Sequence, residues 1–238
     1  MLTLFFVPTL GTNTTIEVTG DEAHHAIKVI RVELGEELLL ADGGGAWVRG
    51  SIEVIGKKSF TVAVLERGIE TEVLPELIVV QALMKSERAK EAIELLTVAG
   101  ATTIIPWQAA RSIAKWQAGI GTKWYATSVA AAKQSRRLTL PEIESPITTS
   151  QIAKRFGRES NLLVLHESAT IKLSDAAKEF SRGPIVLVVG PEGGLTEEEL
   201  SILGAAGGKI VLLGSEVFRS AHAGFAALSA VSALIGRW

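Results

Sequence analysis

The chain has no cysteine in its 238 residues. Disulfides and thiolate chemistry are thereby excluded, and the composition fits the reducing cytosol, so a cytoplasmic protein is expected. No window approaches the run of about 18 apolar residues that a membrane helix needs, so no membrane association is expected. The opening MLTLFFVPTL is apolar but short. It lacks a basic leader and a small-residue cleavage site, and reads as a first strand, not a signal peptide. Histidine is sparse at four residues. His24, His25 and His166 lack metal-ligand spacing, so no metal is expected. Excess positive charge is missing too: the formal net charge is −2, which offers no global basic field for nucleic acid.

The distribution of charge says more than its sum. Residues 1–74 carry 6 basic and 11 acidic side chains, a net of −5, whereas residues 85–137 carry 9 basic and 3 acidic, a net of +6. A polyanion would lie best along that basic middle segment, although a solvated helical face has the same composition.

What is present falls into two styles. LTLFFV (2–7), ELLLAD (37–42), AWVRGSIEVI (46–55) and KSFTVAVLE (58–66) are short, rich in β-branched and aromatic residues, and separated by turns such as DGGG (42–45) and IGKKS (55–59). One helix, DEAHHAIKVIR, interrupts them, with Thr19 and Glu22 spaced as a capping box. Close-set strands of this kind suggest a small barrel over residues 1–73. From 74 to 238 strands and helices alternate, which predicts an α/β domain with a parallel sheet. Strands are expected at 77–83, 102–107, 161–167, 185–190 and 209–214, and helices at 86–100, 123–137, 174–182, from about 197, and at 221–236. Ser86 is the expected N-cap of the first of these helices and Gly100 its stop. The stretch 137–150 reads as a long loop.

VLVVGPEGGLTEEEL, residues 186–200, runs from an apolar strand through a glycine turn into a helix start. Ligands of open α/β sheets sit at such strand ends. The spacing is neither Gly-x-Gly-x-x-Gly nor a P-loop. Thr196 and Glu199 form a second capping box, and Glu197, Glu198 and Glu199 suit the helix dipole but would repel a phosphate. A neutral or cationic ligand held by backbone groups is the better expectation, with Glu192 as a possible partner. LHES (165–168) and LLGSEVFRSAHAG (212–224) end two more apolar strands in small and polar residues, and three such ends converging would bind one small molecule.

GPEGGLTEEE followed by LLGSEVFRSAHAG resembles the SPOUT methyltransferases, and more narrowly the RsmE type, which methylates N3 of a uridine in small-subunit ribosomal RNA. HHAIKVIRVELGEEL, KSERAKEAIELLTVAGATTIIP, ARSIAKW and AAKQSRRLTLPEI extend the resemblance over nearly the whole chain. It implies a PUA-like N-terminal barrel, a C-terminal domain tied in a trefoil knot, and S-adenosylmethionine as cofactor. The cofactor positions it implies are Leu165, His166 and Glu167; Gly190, Pro191, Glu192, Gly193 and Gly194; and Leu212, Leu213, Gly214, Val217, Phe218 and Arg219. A sulfonium cofactor brings positive charge and no phosphate, in keeping with the acidic helix start. There are departures. Many relatives read Arg-Thr-Glu-Thr-Ala where this chain reads Arg219-Ser220-Ala221-His222-Ala223, so a carboxylate is missing at Ala221.

The implied chemistry is in-line methyl transfer to uracil N3, in which loss of the N3 proton spreads negative charge over two carbonyl oxygens. Arginine stabilises such charge with a rigid fork of donors, and Arg219 and Arg136 are the expected candidates. His222 is a candidate base. The partner implied is 16S ribosomal RNA or the small ribosomal subunit, with Arg31, Lys85, Arg88, Arg111, Lys115, Lys123, Lys133, Arg136 and Arg137 expected on phosphates and Trp116 or Trp124 on bases. Lys57 and Lys58 could join Arg31. The resemblance also implies a homodimer near the last helix, whose small residues allow close approach. A SPOUT enzyme for a ribose 2′-hydroxyl or another base, and a non-catalytic RNA-binding assembly factor, are the alternatives. A nucleotide-phosphate enzyme is disfavoured by Glu197–Glu199.

Overall fold

The structure is a computed structural model and describes residues 2–71, 73–157, 160–180 and 182–238. Packing divides the chain into two units, Met1–Glu72 with Ala132–Leu140, and Val73–Ala131 with Pro141–Trp238.

The first unit holds β1 (Thr3–Phe6), β2 (Thr15–Val18), α1 (Gly20–His24), β3 (Glu37–Ala41), β4 (Ala46–Ile55) and β5 (Phe60–Ile69). α1 continues as a π-helical stretch, His25–Ile30, that ends on Arg31 in the left-handed region. The strands form one sheet in the order β1-β3-β4-β5-β2, with β1 parallel to β3 and the remaining pairs antiparallel. Both expected hairpins form. In DGGG, Asp42 Oδ1 accepts from the amides of Gly44 at 2.7 Å and Ala46 at 3.1 Å, closing the turn on its own side chain. Phe5 and Phe60 are fully buried and meet edge to face, with centroids 5.8 Å apart, in a core shared with Leu38, Leu40, Val48 and Val62.

One expectation fails in this unit. Thr19 is the N-cap of α1 but makes no side-chain cap, and the Glu22 carboxylate is bonded to Lys133. Packing also groups the segment 132–140 with this unit. That segment joins the first unit through the same ion pair, a bridge between Gly43 and Thr139, and a 2.8 Å bond from the Leu140 amide to Gly43 O.

The second unit holds β6 (Leu77–Ala82), α2 (Ser86–Val98), β7 (Thr103–Trp107), most of α3 (Ile120–Ser135), β8 (Glu142–Ile143), α4 (Thr149–Arg155), β9 (Asn161–Leu165), β10 (Ile171–Lys172), α5 (Leu173–Ala177), β11 (Ile185–Val189), α6 (Glu197–Ala205), β12 (Lys209–Leu212) and α7 (Ser220–Leu234). Every strand pairing is parallel, in the order β10-β12-β9-β11-β6-β7-β8. The continuous apolar runs follow from coverage on both faces. Leu77, Val79, Leu163, Leu187 and Val189 point to one core with residues of α2 and α7. Ile78, Val80, Val164, Val186 and Val188 point to the other, with Ile152 of α4 and Leu203 of α6. Among the described residues no helix is long and apolar enough to cross a membrane.

Element ends differ from expectation for local reasons. The N-cap of α2 is Lys85, and Ser86 is the first helical residue; Gly100, at φ +91°, follows the helix end as expected. Within the supposed loop and beyond it lie β8 and α4. The signal for α4 was a capping box, since Thr148 Oγ1 accepts from the Gln151 amide and the Gln151 side chain returns to the Thr148 amide. α5 stops at Ala177, short of the expected end, with Leu173 and Ala176 buried in it and Phe180 packing on the core beyond it; residue 181 of the expected helix lies outside the described residues. Ile93, fully buried on α2, tests the core between α2, α7 and the sheet. Ile93→Ala should cost about 2–5 kcal/mol in urea denaturation. Val98→Ala on the exposed side of the same helix should change stability by less than about 0.5 kcal/mol.

Candidate functional site

β12, β9 and β11 are consecutive neighbours and parallel, so Leu212, Leu165 and Val189 end side by side on one sheet edge. The segments that leave these ends line a cleft of about 510 Å3. Its wall includes Leu165, His166 and Glu167, then Gly190, Pro191, Glu192 and Gly194, then Leu212, Leu213, Gly214, Val217, Phe218 and Arg219. All belong to the expected cofactor positions. Gly193 is the exception among those positions. It faces Arg111, where an added Cβ would stand 3.2 Å from Arg111 Cβ. Arg111 Nη1 donates to Gly193 O at 3.1 Å and Leu195 O at 3.3 Å. Arg111, expected on phosphate, therefore ties down the glycine turn. Gly194 sits at φ +72°, which favours glycine there.

The three glutamates of the α6 start divide their labour. Glu199 is 4% exposed. Its Oε2 accepts from the Thr196 amide at 3.0 Å and from Thr196 Oγ1 at 3.2 Å; its Oε1 accepts from the Ala110 amide at 2.9 Å and from Thr149 Oγ1 at 3.3 Å. It is a cap that also binds two other segments. Glu197 and Glu198 remain exposed. The cleft wall itself carries the carboxylates Glu167, Glu192 and Glu216 and the guanidinium groups of Arg88 and Arg219.

A buried polar relay sets the cleft floor. Ser220 Oγ donates to Gly190 O at 2.5 Å and accepts from Gln81 Nε2 at 3.3 Å. This links the start of α7, the end of β11 and the end of β6. Neither Gln81 nor Ser220 was anticipated, although a glutamine inside the apolar run LIVVQAL was the available signal.

The expected charge-bearing residues do not all meet here. Arg219, the N-cap residue of α7, lines the cleft, and its guanidinium has no hydrogen-bond or ion-pair partner among the described residues. Arg88 lines it as well. His222, the expected base, does not; its Nε2 lies 2.7 Å from Glu91 Oε1, while Glu91 Oε2 accepts from Arg88 Nη1 at 2.7 Å. The His222 bond, and after it the Arg88 bond, hold the Glu91 carboxyl below the usual carboxylate range. Arg136 belongs to the first unit, exposed and at φ +60°. Arg137 Nε donates to Thr139 Oγ1 at 3.1 Å. Lys133, expected on phosphate, is half-buried and paired with Glu22. Arg31, Lys85, Lys115 and Lys123 are exposed. Trp124 is 4% exposed and packs edge to face on the half-buried Trp116 at 5.8 Å. Both belong to the core packing of the second unit, so neither is a free stacking surface for bases. Among the described residues there is no group of three or more histidine, cysteine, aspartate or glutamate side chains that could hold a metal.

Residues 71–232 match the family model described as the RNA methyltransferase domain, and residues 18–65 match the RNA methyltransferase PUA domain. The chain is 42% identical to ribosomal RNA small subunit methyltransferase E of Mycobacterium bovis, over 99% of this chain and 93% of that protein. It is 29% identical to the protein of that name from Bacillus subtilis, over 92% and 90%. The crystal structure of the Neisseria gonorrhoeae enzyme of that name, bound to S-adenosyl methionine, is similar with a TM-score of 0.90 at 27% identity, covering 98% of both chains.

Two measurements test these assignments. Glu199→Ala leaves the part-buried donors of Ala110, Thr149 and Thr196 without their acceptor and should lower unfolding free energy by about 1–3 kcal/mol. Because the Glu91 carboxyl is depressed in the folded state, its contribution is complete above the ordinary carboxylate range and is lost as pH falls through the depressed value. Thermal melts of wild type and Glu91→Gln should therefore separate near neutrality and converge in acid.

Proposed function

Because the chain belongs to the RNA methyltransferase family, we propose that it transfers the methyl group of S-adenosylmethionine to N3 of a uridine in 16S ribosomal RNA, naked or within the small ribosomal subunit. The observation that carries this reading is the cleft where three adjacent parallel strand ends meet. Its residues fit such a cofactor. The capping box already serves the Glu199 amide and the exposed Glu197 and Glu198 disfavour a phosphate at the α6 start, whereas Glu167, Glu192 and Glu216 suit a cation. The backbone of 165–167, 190–194 and 212–214 would hold it. When bound, the cofactor supplies an electrophilic methyl group on a sulfonium.

The chain's own residues do the remainder. Arg219, whose guanidinium has no partner among the described residues, would stabilise the charge that develops on the uracil carbonyl oxygens as N3 loses its proton. No role as base is assigned to His222, whose Nε2 is engaged by Glu91. Positioning of the target base against the cleft supplies much of the rate. Arg31, Lys85, Lys115, Lys123, Arg136 and Arg137 would lie along the RNA backbone, and the target uridine would leave its stack to enter the cleft. The trefoil knot, the homodimer and a cytoplasmic location belong to the same reading. For the homodimer, the small residues on the open side of α7 would allow close approach, whereas Gly224 serves packing within the unit, an added Cβ there standing 3.1 Å from Leu96 Cδ2. Exposed Leu234 and Trp238 offer apolar surface instead.

Calorimetry should detect S-adenosylmethionine binding, and nucleoside mapping of treated small-subunit RNA should yield 3-methyluridine. A 2′-O-methylated or other product refutes the N3 assignment, and absence of cofactor binding leaves the assembly-factor alternative. Arg219→Ala should lower turnover at least about tenfold, or roughly 1.4 kcal/mol, with cofactor affinity unchanged.

A further inference from the structure

Three side chains on two helices form a continuous chain of bonds beside the cleft. Arg88 stands in the first turn of α2 and lines the cleft. α2 follows β6, the sheet neighbour of β11, so Arg88 shares a sheet edge with the glycine turn. Glu91, one turn further on, uses one oxygen for Arg88 and the other for His222 of α7, both at 2.7 Å. The Arg88 guanidinium has no other partner among the described residues, so the donors on Nε and Nη2 remain open.

An exposed arginine–glutamate pair three residues apart contributes little to stability by itself. This one differs because its carboxylate is also gripped from a second helix. A long side chain that would otherwise sample many rotamers is held in one, which lowers the ordering cost of any ligand it meets. The cleft carboxylates Glu167, Glu192 and Glu216 suit the cationic donor, whereas Arg88 retains an open fork of N–H groups beside exposed Lys85. An open guanidinium fork matches a phosphate.

We propose that Glu91 and His222 are positioning residues that hold Arg88 ready for a backbone phosphate of the incoming RNA next to the target base. The inference rests on the methyltransferase reading above and adds to it a fixed anchor for the substrate.

The test compares wild type, Arg88→Ala, Glu91→Gln, Glu91→Asp, His222→Asn and the double variant Arg88→Ala/Glu91→Gln. Small-subunit RNA is the substrate, and RNA binding is also measured without the cofactor. Arg88→Ala should raise the KM for RNA about tenfold and flatten the logarithmic salt dependence of binding by about one unit, while kcat and S-adenosylmethionine affinity stay within about twofold. Glu91→Gln and His222→Asn should raise the same KM about threefold, Glu91→Asp should recover part of the loss, and the double variant should match Arg88→Ala alone. Weakened cofactor affinity with an unchanged KM for RNA overturns the proposal, as do full additivity in the double variant or a silent Glu91→Gln. If wild type transfers no methyl group yet the variants weaken cofactor-free RNA binding in the stated order, the methyltransferase reading fails and the clamp stands. If transfer is normal and RNA binding is unaltered in all variants, the methyltransferase reading stands and the clamp fails.

Discussion

Parallel pairing of β12, β9 and β11 is the constraint from which the rest of the second unit follows. Parallel strands cannot be joined by a tight turn, so each must return over a face of the sheet, and all their C-terminal ends then share one edge. Three segments far apart in the chain thereby meet in one cleft. The Ser220 hydroxyl secures their arrangement by bonding Gly190 O and Gln81 Nε2, joining the start of α7 to the ends of β11 and β6. The bond satisfies the Gly190 carbonyl that the strand end leaves open.

Electrostatics in this protein are as much internal as directed at a ligand. Arg111, Lys133 and His222 all looked available for chemistry or for RNA, and each is held by a partner inside its own unit, as is the capping residue Glu199. Among the described residues the Arg219 side chain has no partner, and Arg88 has only Glu91, which makes these two arginines of the cleft informative. The lining holds Glu167, Glu192 and Glu216 together with Arg88 and Arg219, and both arginines stand at helix starts.

The strands, the hairpins and the glycine turns were legible because each depends on residues close in sequence. Alternation of two styles marked the change near residue 73, and LIVVQAL, NLLVL and IVLVV announced a sheet covered on both faces. The resemblance carried by GPEGG and LLGSEVFRSAHAG located the cleft wall. α4 was missed although its capping box stood in view, because no long apolar stripe accompanied it.

Sequence alone determined the longer strands, though not β2, β8 or β10, and also that the α6 start is capped and acidic and which loops end in glycine, since local propensity and short-range hydrogen bonds govern these. Tertiary structure decided which charges remain open. Glu22 could cap its own helix or pair with Lys133, 111 residues away, and His222 could face the cleft or Glu91, 131 residues away. Such choices turn on long-range geometry and on competition for partners, and no spacing along the chain encodes them.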